Sequence, residues 1–583
     1  MRQAQIVYKN PKQLQKLLGC AVHFRGNKPM KILFQVHSGQ SDFTQLNEVC
    51  NTIVAFFPDA LCVGSSCNGS VVGENVASDG VSISCTIFER PSSKVEVLQY
   101  VINEESAGVV AEDLVREVGA RPWVKGIGIL TASWGISLSD FCKGLTKLRS
   151  GVQVFGGMAG SSGDGSSSYV FSNVCGYSEN AAVFVLYGGD ELLIETTKIS
   201  GWKPLGKIFL VTKSEKNVLK ELDGRPAFEA YSKYLNIQND FYFSQNTMEF
   251  PLFYNENGEN YLRSPMACSE EGALLLASNM KNGSMVRISY GDPQAIMESV
   301  RQGTIKVSKF CPEGIQMYSS IARKQFWGDD DVNQETSPFN FIAPTYGFFA
   351  SGEFLREQTL VGLHNATIVI AAMREGVADP SRQRSAVVSD GTRAGKVSVI
   401  SRLANFTNVS SAELMEMYNK LTKTSITDAL TDLYNRGEIQ RRIAERFRDA
   451  RGGKMSLVMI DIDNFKSVND TFGHQEGDNV IQGLSKQIQM ATFEKAPDAD
   501  AGRWGGEEFM IMLPDMGVKE AVEFAETVRS GFARIKFPAV GFKTISLGVT
   551  ELRHGDTIDK ICTRVDEALY QAKGTGKNKV VVL

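Results

Sequence analysis

The chain has 583 residues, of which 43% are apolar and 22% charged, and its formal net charge is −4. At about 100–200 residues per domain, this length predicts three or four domains. The mild acidic balance gives no general reason to bind nucleic acid, and no apolar run reaches the ~18 residues of a membrane helix. We therefore expect a cytoplasmic protein without nucleic-acid or membrane partners. Ten cysteines without a Cys-x-x-Cys pair predict buried thiols.

Short apolar runs separated by Gly and Ser turns fill residues 1–370. The pattern predicts a helix that ends near Phe57 and strands at Met30–Val36, Ala60–Gly64, Val81–Phe88 and Gly126–Ala132. Alternation of this kind predicts α/β or α+β layers. No strict repeat of about 20–50 residues is visible, so a solenoid is not expected.

A polar stretch, residues 378–396, predicts a loop. Two helical segments follow, with apolar residues at helical spacing: Val399, Ile400, Leu403 and Phe406 in the first, and Leu414, Met417, Tyr418 and Leu421 in the second. Ser410 and Glu413 match a capping box at the start of the second. The apolar seam is either a dimer-forming stalk or a helix packed on a domain. The last domain starts near Thr427.

The first acidic feature of that last domain is the apolar strand Leu457–Asp463. The strand period places Asp461 and Asp463 on one face and Ile462 on the other. An acid at the end of a buried strand is costly unless it is paired or binds a metal.

The second acidic feature precedes another apolar strand. Gly505 and Gly506 predict a tight hairpin with positive φ, which lets another molecule approach the backbone. Glu507 and Glu508 follow at once. Two antiparallel strands with carboxylates at one end make a hard oxygen site suited to Mg²⁺, although solvated acids are also common at turns.

Five segments resemble the GGDEF family of diguanylate cyclases. Met459–Asp478 and Arg503–Phe509 carry the signature, the second in its Glu-for-Asp form. Asp428–Arg436, Ile545–Val549 and Asp566–Asn578 continue the match, so the resemblance spans residues 427–583. It implies a palm-like α/β domain with a central, mainly antiparallel sheet flanked by helices. It also implies the condensation of two GTP into cyclic di-GMP with release of diphosphate.

The resemblance implies a metal site for Mg²⁺ or Mn²⁺ on Asp461, the carbonyl of Ile462 and Glu507. Glu508 is a second acid beside them, and Glu507, Glu508 and Lys466 are the implied catalytic residues. The ions would acidify a GTP 3′-hydroxyl and stabilise charge on the attacked phosphate. Which acid serves as a general base stays open.

The resemblance also implies substrate-binding residues: Gly505 and Gly506 at the turn, Asn469 and Asp478 at the guanine edge, and Lys573 and Lys577, with Lys466, at the triphosphate. A carboxylate accepts from the N1 and N2 donors of guanine, while an amide both donates and accepts. Adenine offers a different pattern and is rejected by unpaired groups. His474 either lines the nucleotide pocket or packs against the neighbouring turn.

The implied reaction needs two domains face to face, because each holds one GTP. We therefore expect a homodimer through the linker and the GGDEF domain. Many relatives carry Arg-x-x-Asp as a product-binding brake, but the matching positions are Ala496 and Ala499. This predicts no product inhibition there. The alternatives are an inactive GGDEF domain that acts as a GTP or cyclic di-GMP receptor, and a cyclase with a different product.

Three stretches of residues 30–373 resemble FIST, a two-part bacterial sensory module. They are Gly156–Gly160, then Gly201–Gly206 with Glu221–Ala227, then Tyr346–Glu353 with Leu363–Thr367. The expected domains are therefore an N-terminal FIST part at 1–220, a C-terminal FIST part at 221–377, a loop and helical linker at 378–426, and the cyclase at 427–583.

The FIST resemblance implies a small ligand, with amino acids as one class and haem as a less favoured one. A haem-ligating histidine would have to be His23, His37 or His364, although a structural histidine is the commoner case. Glu353 and Asp223 could each meet either a ligand amine or a backbone N–H. The identity of the ligand and the sign of its effect stay open.

Overall fold

The computed structural model describes residues 1–25, 30–39, 43–132, 136–160, 168–256, 258–386, 388, 399–449 and 454–583. They form two compact units, Met1–Ser411 and Ala412–Leu583, which we describe separately. Helices and strands are mixed throughout both units, which confirms the α/β class. No described helix is both long and apolar enough to cross a membrane.

The first unit contains one succession of elements three times: an edge strand, a helix, a strand, a helical segment, a parallel strand, a short hairpin and a last strand. The first copy comprises β1 Arg2–Val7, α1 Pro11–Arg25, β2 Lys31–Ser38, α2 Phe43–Phe56, β3 Leu61–Ser66, β4 Ser70–Val72, β5 Asn75–Ala77 and β6 Val81–Phe88. The second comprises β7 Lys94–Val101, α3 Ala107–Gly119, β8 Val124–Ala132, α4 Ser139–Leu145, β9 Gln153–Met158, β10 Val170–Ser172, β11 Gly176–Ser178 and β12 Ala181–Gly188.

The third copy is interrupted after its edge strand by a separate sheet, which we call the inserted sheet. This sheet and its helices comprise β14 Trp202–Glu215, β15 Val218–Leu222, β16 Arg225–Pro226, α5 Phe228–Leu235, α6 Phe243–Met248, β17 Leu252–Glu256, β18 Glu259–Arg263, β19 Pro265–Cys268, β20 Leu274–Leu276 and β21 Met285–Gly291. The copy itself comprises β13 Leu192–Ile199, α7 Pro293–Phe310, β22 Gly314–Ser320, α8 Ile321–Asp331, α9 Asn333–Ile342, β23 Thr345–Ala350, β24 Glu353–Glu357, β25 Leu360–His364 and β26 Ile368–Glu375.

The three copies exchange their hairpins in a cycle. The sheet orders are β1-β6-β2-β3-β10-β11, β7-β12-β8-β9-β24-β25 and β13-β26-β22-β23-β4-β5. Each sheet thus ends in the hairpin of another copy. Where the copies meet, Gln316 donates to the Gln35 side-chain oxygen at 3.0 Å and contacts the Tyr187 hydroxyl at 3.1 Å. No copy can be removed without leaving strand edges and this buried amide unpaired.

A single helix, α10, runs from Val399 to Ile426 after a 3₁₀ turn at Pro380–Arg382. The predicted break and capping box at Ser410 are therefore wrong, because the helix hydrogen bonding continues through this position. The seam residues with described side chains are exposed: Ile400, Leu403, Phe406, Leu414, Met417 and Tyr418. The side chains of Val399 and Leu421, and positions 387 and 389–398 of the predicted loop, lie outside the described residues.

The second unit is a five-stranded sheet in the order β28-β29-β27-β32-β33, in which only the β32–β33 pair is parallel. Its elements are α11 Arg436–Asp449, β27 Met455–Ile462, α12 Phe465–Phe472, α13 His474–Lys495, β28 Asp500–Arg503, β29 Glu508–Pro514, α14 Val518–Phe532, β30 Lys536–Phe537, β31 Gly541–Phe542, β32 Ile545–Glu551, α15 Ile558–Gly574 and β33 Val580–Val582.

Helices cover both faces of this sheet because its central strand is apolar on both sides. Along β27, Val458, Ile460 and Ile462 pack towards α13 and α14. The alternate residues Leu457 and Met459 pack towards α11 and α15. This confirms the predicted mainly antiparallel sheet with flanking helices, and it brings the polar end of β27 to the sheet edge.

Candidate active site

Two acidic side chains face each other at the end of the central sheet. Asp461 on β27 is in register with Glu508 on the antiparallel strand β29. Asp461 is 6% exposed. Burial, helped by the neighbouring carboxylates of Glu507 and Glu508 and opposed by Lys573, raises its pKa to about 6. The predicted pairing of the two strand ends is thus present, and the negative charge of the paired carboxylates is only partly compensated.

A lysine ammonium provides part of the missing positive charge. Lys573, in the last turn of α15, places Nζ 2.7 Å from the Asp461 carboxylate. Within the described ranges, no three His, Cys, Asp or Glu side chains converge as a metal cluster. The donor set that remains, the paired carboxylates of Asp461 and Glu508 with a strand-end carbonyl, is of the hard oxygen type that Mg²⁺ and Mn²⁺ prefer. The Lys573 ammonium places one positive charge beside this donor set.

The turn between β28 and β29 differs from its predicted conformation. Neither Gly505 nor Gly506 has positive φ, so that prediction is wrong. A Cβ at position 505 would lie 2.9 Å from the Glu508 carboxylate, whereas one at position 506 would meet open space. Glycine at 505 therefore keeps the carboxylate of Glu508 unobstructed.

Two residues that the sequence analysis assigned no role hold this turn in place. Arg503 donates from Nε and Nη2 to the carbonyl oxygen of Gly506, at 3.0 and 2.7 Å. The same guanidinium forms an ion pair with Asp428 at 3.2 Å. Both residues belong to segments that carry the family resemblance, and this membership was the sequence signal that could have identified them.

Asp463 has a different environment from Asp461. Its carboxylate accepts hydrogen bonds from the Thr544 and Ser546 hydroxyls, at 2.7 and 2.6 Å, and from the Asn578 N–H at 3.0 Å. It therefore fastens the loop after α15 to the end of β27. In the same loop, Lys577 bonds to the side-chain oxygen of Asn464, so this predicted phosphate-binding residue lies at the same sheet edge.

The two predicted guanine-reading residues lie on neighbouring helices. Asn469 on α12 packs its side-chain oxygen so close to Gly477 on α13 that a Cβ there would lie 2.0 Å away. Asp478 follows Gly477 directly, and both Asn469 and Asp478 are half-buried. The side chains of Lys466 and His474 are exposed nearby in sequence.

The positions of the missing product-binding pair carry no charge. Ala496 is buried and Ala499 is half-buried. The neighbouring Asp500 forms an ion pair with Arg442 at 2.9 Å.

A cavity of about 280 Å³ lies along α15 and shares Glu508 and Lys573 with the acidic cluster.

The fold and the strand-end carboxylates define an α/β domain with an acidic cluster at the end of its central sheet. Comparison with known families is more specific. Residues 425–579 match the family described as "Diguanylate cyclase, GGDEF domain", residues 32–225 match the FIST N domain, and residues 227–356 match the FIST C domain. The chain thus joins a FIST N, a FIST C and a GGDEF domain, as its sequence predicted.

Several curated proteins are similar over the C-terminal part. "Diguanylate cyclase VdcA" of Vibrio cholerae is 34% identical over 31% of this chain and 53% of its own length. "Diguanylate cyclase DgcM" of Escherichia coli is 34% identical over 29% and 41%, and "Response regulator PleD" of Caulobacter vibrioides is 36% identical over 27% and 36%. The chain therefore spans about half or less of the length of these relatives.

Solved structures match the same region. The coiled coil and GGDEF domain of DgcB from Caulobacter crescentus is 29% identical over 32% of this chain and 99% of that one, with a TM-score of 0.30. The active GGEEF domain of a Vibrio cholerae diguanylate cyclase is 39% identical over 25% and 90%, with a TM-score of 0.22.

In the FIST region, the candidate ligand-binding residues are mostly internal. His37 is buried between the rings of Tyr346 and Phe348, and His364 is buried against the ring of Tyr261. Burial lowers the pKa of His37 to about 3, and it also lowers that of His364. Both imidazoles are therefore neutral parts of the core.

The two sensor carboxylates that could have met either a ligand or the backbone both accept backbone N–H groups. Glu353 accepts from the N–H and hydroxyl of Thr367, and Asp223 accepts from the N–H of Leu210 at 2.8 Å. Burial raises the pKa of Glu353 well above its usual range.

Proposed function

We propose that the GGDEF domain is a diguanylate cyclase, which condenses two GTP into cyclic di-GMP and releases diphosphate. The observation that carries this proposal is the in-register pair of Asp461 and Glu508, with the pKa of Asp461 raised to about 6. A carboxylate that ionises reluctantly in the free protein gains most from a bound cation. The similarity to named cyclases over the same residues supports the nucleotide class.

The residues that would hold Mg²⁺ or Mn²⁺ are Asp461, Glu507, the carbonyl of Ile462 and, beside them, Glu508. When bound, the ion supplies Lewis acidity for a 3′-hydroxyl and for the attacked phosphate. Lys573 is already within 2.7 Å of Asp461, so its charge is available where the ion and the triphosphate would meet.

The chain's other residues select and hold GTP. Asn469 and Asp478 offer the mixed donor and acceptor edge that guanine requires. Because Asn469 is pressed against Gly477, its side chain is held in place before substrate binds. Lys573 and Lys577 at the sheet edge, with Lys466, neutralise the triphosphate as point charges.

The test is to incubate the full chain with GTP and Mg²⁺ and to separate the products by chromatography. Cyclic di-GMP is expected, and Glu507→Ala should abolish it. Glu494→Gln, an exposed acid on α13, is the matched control and should retain full activity. GTP binding without turnover would favour the receptor alternative, and turnover by Glu507→Ala would overturn the metal assignment.

We further propose that a small ligand of the FIST region controls the cyclase through α10, and that the active form is a homodimer. Three contacts fasten α10 to the inserted sheet through one residue, Asn408. Its side-chain oxygen accepts from the Gly206 N–H at 2.9 Å and from Arg287 at 3.1 Å, and its amide donates to the Pro204 carbonyl at 3.3 Å. We call these contacts the Asn408 anchor. A change in the inserted sheet therefore reaches α10 directly.

The exposed seam of α10 supports the homodimer, because an apolar stripe along a helix is normally covered by a partner. Leu414→Asp should weaken self-association in sedimentation and lower the specific cyclase rate at low protein concentration. An unchanged sedimentation profile would count against dimerisation through the linker.

A further inference from the structure

A cavity of about 620 Å³ lies between the inserted sheet and the second copy of the repeat. Its walls come from α4, the β17–β18 hairpin, the turn at residues 278–282 and β25. This volume is within the range of small-molecule sites, which occur preferentially where two structural modules meet. No residue of the cyclase site lines this cavity.

A buried arginine, Arg263, lines the cavity. Arg263 is 6% exposed, and its guanidinium lies 5.4 and 5.3 Å from the ring centres of Tyr254 and Tyr261. It donates to the backbone carbonyls of Leu262, Leu363 and Asn279, at 3.0, 3.1 and 3.3 Å. Across the part of the chain that the structure describes, no carboxylate comes within 4 Å of it.

The contrast with another buried arginine shows what Arg263 lacks. Arg323 is 0% exposed and forms a two-pronged ion pair with Glu335, with its shortest contact at 2.6 Å. A buried guanidinium without such a counter-ion carries a desolvation cost that carbonyl dipoles offset only in part.

Arg356 provides the second comparison. It is also buried and donates only to backbone carbonyls, those of Leu148, Arg149 and Val152. Arg356 does not line the cavity, whereas Arg263 does. Carbonyls alone can therefore keep an arginine inside this protein, and the cavity is what distinguishes Arg263.

The remaining charged residues of the cavity rim are mainly basic: Lys143, Lys216 and Lys281 against Asp140 and Glu256. Two of these lysines are themselves ion-paired, Lys281 with Glu256 and Lys216 with Glu104, so Glu256 does not neutralise Arg263. Lys143 is exposed on α4 at the rim. The guanidinium of Arg263 is thus the buried positive charge of this cavity without a described carboxylate partner, and it favours a negatively charged occupant.

We propose that this cavity is the ligand site of the FIST region and that it binds a small molecule with a carboxylate or phosphate group, for which Arg263 is the counter-ion. The proposal rests on the sensing function proposed above. Because the ligand would contact both the second copy and the inserted sheet, it would act on the sheet that carries the Asn408 anchor.

The experiment measures the thermal unfolding of the full chain with a panel of acids: succinate, citrate, benzoate, glutamate, inorganic phosphate and glycerol 3-phosphate. Succinamide, benzamide and glycerol are the uncharged counterparts of succinate, benzoate and glycerol 3-phosphate. At about 10 mM, at least one acid should raise the melting temperature, and no uncharged counterpart should do so. The organic acids and the phosphates distinguish the two sources of negative charge. No shift with any acid overturns the proposal.

Arg263→Met should weaken binding of that acid by about 30-fold or more, because a buried charge pair loses one partner. Arg356→Met is the matched control and should leave the affinity unchanged. If Arg263→Met does not fold, Lys143→Glu at the exposed rim should weaken binding, and Lys147→Glu, outside the cavity, should not. Equal affinity in wild type and the cavity variants overturns the assignment.

The same samples are assayed for cyclic di-GMP. A thermal shift without a change in rate leaves the anion site standing and overturns ligand control of the cyclase. A rate change that persists in the cavity variants places the sensing elsewhere and overturns this site.

Discussion

The Asp461→Asn variant tests the electrostatics of the strand end. In the folded, metal-free chain, burial raises the pKa of Asp461 from 3.8 to about 6. A difference of about two pKa units corresponds to about 3 kcal/mol at neutral pH. Water at the strand end limits this cost, so we expect the neutral amide to stabilise the metal-free domain by about 1–3 kcal/mol.

The direction of the pH dependence follows from the raised pKa. Between about pH 4 and pH 6 the folded chain binds more protons at Asp461 than the unfolded chain, so wild-type stability falls as the pH rises through this window. Below about pH 4 the carboxyl group is protonated in both states and the cost disappears. Asparagine does not titrate. The variant should therefore be more stable at pH 7.5 and equal to wild type near pH 4.

Hydrogen exchange of the β27 amides in the presence of EDTA is a suitable assay. Both proteins are compared at the same pH, so intrinsic exchange rates cancel, and exchange at pH 7.5 should be about 5- to 150-fold slower in the variant. Asp463→Asn is the matched control and should exchange faster, because Asp463 accepts three hydrogen bonds. A variant less stable than wild type would refute the reasoning and show that the Lys573 ion pair outweighs burial. A stability difference that does not change with pH would also refute it, because the effect would then not come from the titration of Asp461.

Three further predictions concern other parts of the chain. Added cyclic di-GMP should not lower the initial cyclase rate noncompetitively, since Ala496 and Ala499 replace the Arg-x-x-Asp pair; strong inhibition by micromolar product would contradict this. Asn408→Ala should uncouple the cyclase rate from ligand while lowering the melting temperature of the FIST region by no more than a few degrees, because only three half-buried hydrogen bonds are lost; an unchanged ligand response would exclude the Asn408 anchor. Arg323→Met should destabilise the sensor by about 3–5 kcal/mol in urea unfolding, since Glu335 is left buried and unpaired, and Arg323→Met with Glu335→Leu should recover most of that loss.

Much of the cyclase domain could be predicted from local sequence. The unbroken apolar run of β27 predicts a buried strand, and the acids at the end of that run mark the strand end. The FIST and GGDEF resemblances likewise depend on short segments and fixed spacings, and family matches confirm them. The residues named for catalysis and binding stay predictions, because no ligand has tested them.

The two predictions that the structure contradicts failed for the same physical reason. A capping box at Ser410 and positive φ at Gly505 are local preferences worth about 1 kcal/mol, and the surrounding helix and turn outweigh them. The threefold repeat was not predicted, because it is visible only in the order in which the strands pair. In addition, the inserted sheet interrupts the third copy.

The sequence by itself determined which strands are buried, that Asp461 lies at the end of one and Glu508 at the start of another, and which families the segments resemble. Only the tertiary structure decided that Lys573 reaches Asp461, that Arg503 holds the turn, and that Arg263 is buried at a cavity with no described carboxylate within 4 Å of its guanidinium. The physical reason is range. Apolar periodicity is a property of neighbours along the chain, whereas the electrostatic environment of a carboxylate or guanidinium depends on groups that folding brings from distant positions.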